Sequence, residues 1–319
     1  MKIVITGGAG FIGSNLTKLI EATMPETEVV IFDDLSSGSR LNVVSSRYEL
    51  VEGSILDVDL LHRVTEGADA IVHLAAIPSV PRSIAAPMPT HDANATGTLN
   101  VLEAARRNGV DYVVVASSSS VYGSNPDLPK DELAWTRPMS PYAVSKLATE
   151  AYTNAFAYSY GMKTLAFRFF NVYGPGQAAG HAYAAVIPRF LEAAMSGEKI
   201  VIYGDGEQSR DFTFVGTVCA VLLDAVVNQV TSPHPVNLAF GTRTTLNELH
   251  SAIADILGRR VDVSHVDARV GDVYASQARH ERLNSLFPSA APTPLDQGLR
   301  DTITWFEGQL GVAGAADAP

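Results

Sequence analysis

Residues Lys2 to Asn15 constrain this chain more than any other stretch. The apolar run Ile3-Val4-Ile5 passes through Thr6-Gly7-Gly8-Ala9-Gly10 into Phe11-Ile12-Gly13-Ser14-Asn15. That order predicts a buried strand, a tight turn and a helix start. Gly7 permits the turn, Gly10 lets the main chain approach a pyrophosphate, and Gly13 lets the helix lie close to the strand. The free N–H groups of the first helical turn then face the anion. A helical stretch from Phe11 to Thr23 is followed by the strand Val29-Val30-Ile31-Phe32, which ends at Asp33. An acid about twenty residues past the last glycine suits a ribose 2′-hydroxyl, whereas arginine would suit a 2′-phosphate, so the expected dinucleotide is NAD rather than NADP.

A chain of 319 residues with 46% hydrophobic content is long enough for a full α/β core. Its net charge of −11 argues against a nonspecific nucleic-acid or membrane-surface role, while leaving room for a local basic pocket. A single cysteine, Cys219, excludes an internal disulfide framework and fits a reducing compartment. The sequence opens on a strand, shows no basic-then-apolar leader and has no apolar run of membrane-spanning length, so a cytoplasmic location is expected. The histidines show no metal-ligand spacing, and no metal is assigned.

Strand and helix patterns alternate through the first half. Strands are expected at Tyr48–Val51, Ala70–Leu74, Tyr112–Ala116 and Thr164–Phe169, and helices at Asp57–Thr65, Thr90–Asn108 and Pro141–Tyr160. The segment Ala75 to Arg82 reads as a loop at the carboxyl edge of the sheet, and Gly123 to Pro141 as an ordered loop over the site. After the punctuated turn Asn171-Val172-Tyr173-Gly174-Pro175-Gly176 the alternation loosens. Helices are expected at Ala184–Ser196, Thr217–Asn228, Thr245–Leu257 and Asp296–Gln309, with a strand at Ile200–Tyr203 and short strands near Val236 and Val261. The division is thus residues 1–172 for the dinucleotide-binding part, with some later segments returning to it, 173–310 mainly for a smaller annex, and 311–319 for a disordered, small-residue tail.

The chemistry sits on the helix that opens Ser140-Pro141-Tyr142-Ala143-Val144-Ser145-Lys146. The i, i+4 spacing puts Tyr142 and Lys146 on one face. The preceding strand ends in Ser117-Ser118-Ser119-Ser120-Val121-Tyr122-Gly123, and both elements fall where a nicotinamide would lie if the pyrophosphate is on the first turn. A phenol pKa near ~10 must fall by about three units, or roughly 4 kcal/mol, to supply phenolate at neutral pH. An ammonium at about 4 Å contributes on the order of 4 kcal/mol at an effective dielectric of 20, and an oxidised nicotinamide adds positive charge. Tyr142 could then accept a sugar hydroxyl proton while a serine holds the same oxygen.

These residues resemble the extended short-chain dehydrogenase/reductase family, and within it the NAD-dependent nucleotide-sugar 4-epimerases. The likeness runs from Met1 to about Gln309, through Thr6–Gly13, Asp33, Asn94-Ala95-Thr96-Gly97-Thr98, the serine run, Tyr142/Lys146, Arg168-Phe169-Phe170-Asn171 and Gly204-Asp205-Gly206 through Arg210-Asp211-Phe212. It implies an α/β fold: a Rossmann-type doubly wound parallel sheet with a smaller C-terminal α/β substrate domain, and a homodimer formed through the two long helices. By position it implies Ser118, Tyr142 and Lys146 as the catalytic set. For NAD it implies Gly7, Gly10, Phe11, Ile12, Gly13, Asp33, Ser54, Ile55, Leu74, Ala75, Ala76, Asn94, Tyr142, Lys146 and Phe169. For a UDP-hexose it implies Ser118, Ser119, Tyr142, Asn171, Ala185, Val186, Tyr203, Arg210, Arg269 and Ser276, the two arginines with Asn171 on the diphosphate. Ser54 and Arg279 stand where the family usually has Asp.

The resemblance also ranks reactions. Nucleotide-sugar 4,6-dehydratases carry Asp-Glu at the positions of Ser119 and Ser120, and UDP-glucuronate decarboxylases carry Glu at Ser120; both acids are absent here. Water elimination needs that acid and base. Ser276 is small where a bulky residue restricts some epimerases to plain hexoses, and His181-Ala182-Tyr183-Ala184-Ala185-Val186-Ile187-Pro188 resembles the N-acetylhexosamine enzymes. The expected reaction is therefore 4-epimerisation of UDP-GlcNAc/UDP-GalNAc, and of UDP-Glc/UDP-Gal as a second substrate pair. The alternatives are a UDP-glucuronate 4-epimerase, another dehydratase or decarboxylase, and a noncatalytic NAD-sensing scaffold on the same fold.

Overall fold

The computed structural model describes residues 1–44, 46–179, 184–268 and 274–316, with side chains through residue 309. Runs of β-branched residues, buried on both faces, form the strands of a parallel sheet. In chain order the elements are β1 (Lys2–Thr6), α1 (Phe11–Thr23), β2 (Glu28–Asp33), β3 (Glu49–Glu52), α2 (Val58–Thr65), β4 (Ala70–His73), α3 (Val80–Ala85), α4 (Pro87–His91), α5 (Gly97–Asn108), β5 (Tyr112–Ser118), α6 (Pro141–Tyr160) and β6 (Lys163–Phe169). They continue with β7 (Asn171–Tyr173), α7 (Val186–Met195), β8 (Ile200–Tyr203), β9 (Ser209–Arg210), β10 (Phe212–Phe214), α8 (Val215–Asn228), β11 (Val236–Leu238), β12 (Thr244–Thr245), α9 (Leu246–Leu257), β13 (Val263–Val266), α10 (Glu281–Leu286) and α11 (Leu295–Ala316).

The main sheet has seven strands in the order β11-β6-β5-β4-β1-β2-β3. All of its pairings are parallel. The strand order reverses between β1 and β4, which opens a crevice at their carboxyl ends. One face is covered by α1, α8 and α10, through Leu16, Ile20, Val218, Leu222 and Leu283. The other is covered by α2, α5 and α6, through Leu61, Val101, Leu102 and Phe156. The annex packs a separate core of Ile187, Phe190, Ile200, Leu249, Leu299 and Ile303. Thus α8, β11 and α10, late in the chain, join the main sheet.

Four local differences from the sequence reading have physical causes. The helix expected at Thr90–Asn108 begins at Pro87 as α4 and passes through a π-type turn at Asp92–Thr96 before α5. The loop expected to run to Arg82 turns helical at Val80, because Ser79 Oγ accepts from Arg82 N at 3.2 Å and Pro81 suits a first turn. The turn expected from Asn171 begins as β7, which pairs with β10. The last helix runs through residues 311–316, read from sequence as a disordered tail; that stretch is rich in alanine, the strongest helix former. Among the described residues no helix is long and apolar enough to cross a membrane.

Candidate active site

At the β1 turn the main chain does the shaping. Gly7 has φ +70°, and a Cβ there would lie 2.6 Å from Ala75 N, so β1 and the end of β4 approach more closely than any side chain allows. A Cβ on Gly13 would lie 2.4 Å from Gly7 O and 2.6 Å from Gly8 Cα. Gly10 precedes α1 with extended backbone and no side-chain cap, so no side chain claims the first N–H groups of the helix, at Phe11, Ile12 and Gly13. A glycine-walled cradle at an uncapped helix start fits a dinucleotide pyrophosphate.

Asp33 closes this cradle. Its Oδ2 accepts from Ala9 N at 2.9 Å and its Oδ1 from Leu35 N at 2.8 Å, while burial raises its pKa against those bonds. Ser54 and Ile55 follow β3, Leu74, Ala75 and Ala76 follow β4, and Phe169 ends β6, so these residues line one sheet edge. Asn94 is buried and uses its amide inside the protein. Its Oδ1 accepts from Ile77 N at 2.7 Å, and its Nδ2 donates to Ile77 O at 3.1 Å and Ser145 Oγ at 3.0 Å. It clamps the loop after β4 to α6.

The expected catalytic set meets where β5 faces the start of α6. Ser140 Oγ accepts from Ala143 N at 3.1 Å and Pro141 occupies the first helical position, which sets where the helix begins and so where Tyr142 and Lys146 lie. Ser118 Oγ accepts from Ser120 N at 3.2 Å and hydrogen-bonds to Tyr142. Lys146 is buried and donates from Nζ to Ala116 O at 2.8 Å. Burial lowers its pKa to about 8 against the opposing charge of Glu150.

Tyr142 itself departs from the sequence argument. Burial raises its pKa, and the Ser118 hydrogen bond offsets this only in part. The expected lowering by Lys146 does not come from the protein groups alone, because the ammonium is engaged at Ala116 O and desolvation of the phenol wins.

Behind this cluster are residues to which the sequence reading gives no role in the site. Arg168 and Glu150 form a buried two-pronged pair, Nε to Oε1 at 2.9 Å and Nη2 to Oε2 at 2.8 Å. Ser117 Oγ donates to Glu150 Oε1 at 2.5 Å, and the Arg168 guanidinium lies 4.7 Å from the Tyr122 ring centroid. The i, i+4 step from Lys146 to Glu150, and an arginine inside an apolar strand, are the signals that point to this pair. His73 bridges Thr6 Oγ1 at 2.7 Å and Thr98 Oγ1 at 3.0 Å, and Thr98 meets Thr149 on α6 at 3.1 Å. Burial, with the Lys146 charge behind it, holds the His73 pKa down at about 3, so the ring is neutral.

The other end of the cleft is a cavity of about 240 Å³ between β7, α7, β8, β9 and β10. Asn171, Ala185, Val186, Tyr203 and Arg210, all expected on the substrate, line it together, and Gln177, Arg189 and Gln208 join them. Ser119 lies on the turn after β5, outside this lining. Ser276 also lies outside it, with its N–H donating to Ser209 O at 3.1 Å beside β9. The loop over the site is stitched to the Ser276 segment: Lys130 N donates to Gln277 O at 2.7 Å and Arg279 pairs with Asp131 at 2.6 Å. Arg269 and the stretch His181-Ala182-Tyr183 fall outside the described residues. A wider groove of about 460 Å³, between α8 and residues 289–293, contains none of the expected site residues.

The chain is similar to known proteins along nearly its whole length. Residues 3–239 fit the model of the NAD dependent epimerase/dehydratase family. The chain is 36% identical to a UDP-glucose 4-epimerase of Mycolicibacterium smegmatis over 315 residues, covering 96% of this chain and 98% of that one. It is 33% identical to a dTDP-glucose 4,6-dehydratase of Streptomyces niveus, with 96% and 93% covered. Among solved structures it superposes on UDP-N-acetylglucosamine 4-epimerase from Methanobrevibacter ruminantium M1, in complex with UDP-N-acetylmuramic acid. That match has a TM-score of 0.90 at 37% identity and covers 97% of this chain and 98% of the other.

Proposed function

The chain belongs to the NAD dependent epimerase/dehydratase family and uses NAD, and on that premise we propose that it is a 4-epimerase of a UDP-hexose. UDP-GlcNAc/UDP-GalNAc is the first substrate pair and UDP-Glc/UDP-Gal the second. The observation that carries this reading is the meeting of Ser118, Tyr142 and Lys146 beside Ser119 and Ser120, hydroxyls where an eliminating enzyme would need acids.

Tyr142 Oη takes the proton of the sugar 4-hydroxyl while Ser118 Oγ holds the same oxygen. Lys146 would hold the nicotinamide ribose and would add the positive charge that phenolate needs. NAD, when bound, supplies the acceptor and later the donor of the C4 hydride. The 4-keto sugar turns in the site, and Tyr142 returns the proton once C4 has been reduced from its opposite face. Asn171 and Arg210 hold the diphosphate through charge-assisted bonds, and Tyr203 with the main chain at Ala185 and Val186 holds the uridine.

The proposed assembly is a cytoplasmic homodimer joined through α5 and α6. Val144, Ala151, Ala155 and Tyr158 support it, because they lie exposed along one stripe of α6. On the same helix Tyr152 is exposed, whereas Phe156 is buried and meets Tyr160 edge-on at 5.0 Å.

Purified protein without added NAD, incubated with UDP-GlcNAc and separately with UDP-Glc, tests the reading by the anomeric proton signals. Galacto-configured signals are expected from both, faster from UDP-GlcNAc. A 4-keto-6-deoxy product would replace epimerase with dehydratase, and two unchanged sugars would remove both substrate pairs.

A further inference from the structure

Tyr142, Lys146 and Glu150 stand four residues apart on α6 and so share one stripe of the helix. Each meets one of three consecutive residues at the end of β5. Tyr142 bonds with Ser118, Lys146 Nζ donates to Ala116 O at 2.8 Å, and Glu150 Oε1 accepts from Ser117 Oγ at 2.5 Å. The first two belong to the expected catalytic set, and Glu150 does not.

The carboxylate is held from a second side. Arg168, the register partner of Ser117 on β6, grips it with Nε and Nη2 and is itself fixed by the Glu132 carbonyl at 3.2 Å and the face of Tyr122. Ser117, Lys146, Glu150 and Arg168 are all buried. A buried ion pair gains little over well-packed apolar residues, so stability alone gives no reason for one here. Lys146 supplies the reason. Its Nζ bonds a neutral carbonyl, and desolvation works against its charge unless an anion lies near.

The charge that opposes desolvation at Lys146 is that of Glu150. The other groups around α6 are poor substitutes. His73 on β4 is neutral, Tyr122 and Tyr142 are phenols with raised pKa, and Arg168 is a cation. Glu132 lies beyond Arg168, where Arg282 approaches it at 3.9 Å. On the helical segments packed against α6, Arg82 and His91 are exposed, Asp92 is half-buried, and Glu103 is engaged by Arg106 and Arg107.

We propose that Glu150 is a positioning residue for Lys146: held by Ser117 and Arg168 on the same stripe of α6, its carboxylate supplies the counter-charge that the buried ammonium needs. The inference rests on the epimerase reading, which gives Lys146 its task beside Tyr142.

The titration of Lys146 tests it directly. Lysine isotope-labelled at Cε is incorporated into the NAD-loaded protein, and the signal missing from Lys146→Met identifies that residue by NMR. Wild type, Ser117→Ala, Glu150→Gln and the double variant Glu150→Gln/Arg168→Met are titrated, with thermal unfolding measured for each. The double variant leaves no stranded guanidinium, so it carries the test should Glu150→Gln fail to fold. Without the carboxylate the Lys146 midpoint should fall by about one pH unit or more, the effect of losing one close opposite charge. The alkaline limb of the pH profile of kcat should move with it, costing up to about tenfold in turnover on that side. Ser117→Ala keeps the carboxylate, and its midpoint should stay close to the wild type. An unmoved midpoint in the folded variants, with turnover lowered equally at every pH, would overturn the inference and leave Glu150 a brace of the fold. A fall in Ser117→Ala as large as in Glu150→Gln would also overturn it, by assigning the effect to packing. Wild-type protein that leaves both sugars unchanged would remove the epimerase reading, while the NMR midpoints still decide whether Glu150 supports the lysine's charge.

Discussion

The end of the cleft that we assign to the dinucleotide is shaped by main chain, whereas the end that we assign to the nucleotide sugar is shaped by side chains. At the first, Gly7 and Gly13 hold strand, turn and helix closer than any Cβ permits, and one carboxylate, Asp33, is fastened by two backbone N–H groups. At the second, Asn171, Arg189, Tyr203 and Arg210 reach into a cavity from four short elements. A site built from backbone serves one cofactor and tolerates little change. A site built from side chains can be retuned for another sugar without disturbing the sheet, as befits a family that includes both epimerases and dehydratases. Between them, Ser118, Tyr142 and Lys146 answer to both ends, with α6 fastened to the cofactor side through the Asn94–Ser145 bond.

The strongest way to break this comparison is at the middle. Tyr142→Phe removes the proposed proton acceptor and leaves the cavity lining and the β1 turn in place, so turnover should fall by about 10²- to 10⁴-fold with UDP affinity and NAD retention close to the wild type. A matching loss of UDP affinity, measured by titration, would make the phenol a binding group.

The two ends should then fail separately. Arg210→Ala should raise KM for the nucleotide sugar by roughly 10- to 100-fold and leave NAD retention, read from absorbance of the released cofactor, as in the wild type. Gly13→Ala forces a methyl group against main-chain atoms at 2.4 and 2.6 Å, and should cost about 1–3 kcal/mol of stability together with retained NAD. Its surviving folded fraction should still bind UDP. Coupled loss of both ligands in both variants would dissolve the distinction.

A smaller effect separates the buried scaffold from the chemistry. The folded chain holds His73 at about 3 against an ordinary 6.5. As pH falls from 6.5 towards 3, the unfolded chain takes up a proton that the folded chain refuses. Stability from this group is therefore complete above the ordinary value and declines by about 1.4 kcal/mol per pH unit through that window, levelling off below the folded value. His73→Gln should flatten that part of the stability profile, measured by denaturant unfolding across the acid range. An unchanged slope would place the acid sensitivity elsewhere.

How much of this was legible in sequence follows the same division. The turn after β1 reads directly, because all its constraints lie within a dozen or so consecutive residues. The bounds of α6, Pro141–Tyr160, also read directly from a capping serine, a first-turn proline and a terminal glycine. By contrast β9, β10 and β12 are two or three residues long, too short to carry a period, and their partners are distant. The Glu150–Arg168 and His73–Thr6 contacts join residues 18 and 67 positions apart, so their residue types show in sequence and their meeting does not. The raised pKa of Tyr142 has a related cause, since desolvation of the phenol is a property of the assembled site.

The most direct test of the central claim follows one atom. UDP-GlcNAc deuterated at C4 is incubated with the purified protein in ordinary water without added NAD, and the product is examined by NMR and mass spectrometry. The account predicts a galacto-configured product that keeps its deuterium at C4, because the hydride leaves that carbon and returns to it within one closed site. Product carrying solvent hydrogen at C4, or a sugar that has lost water, would contradict it.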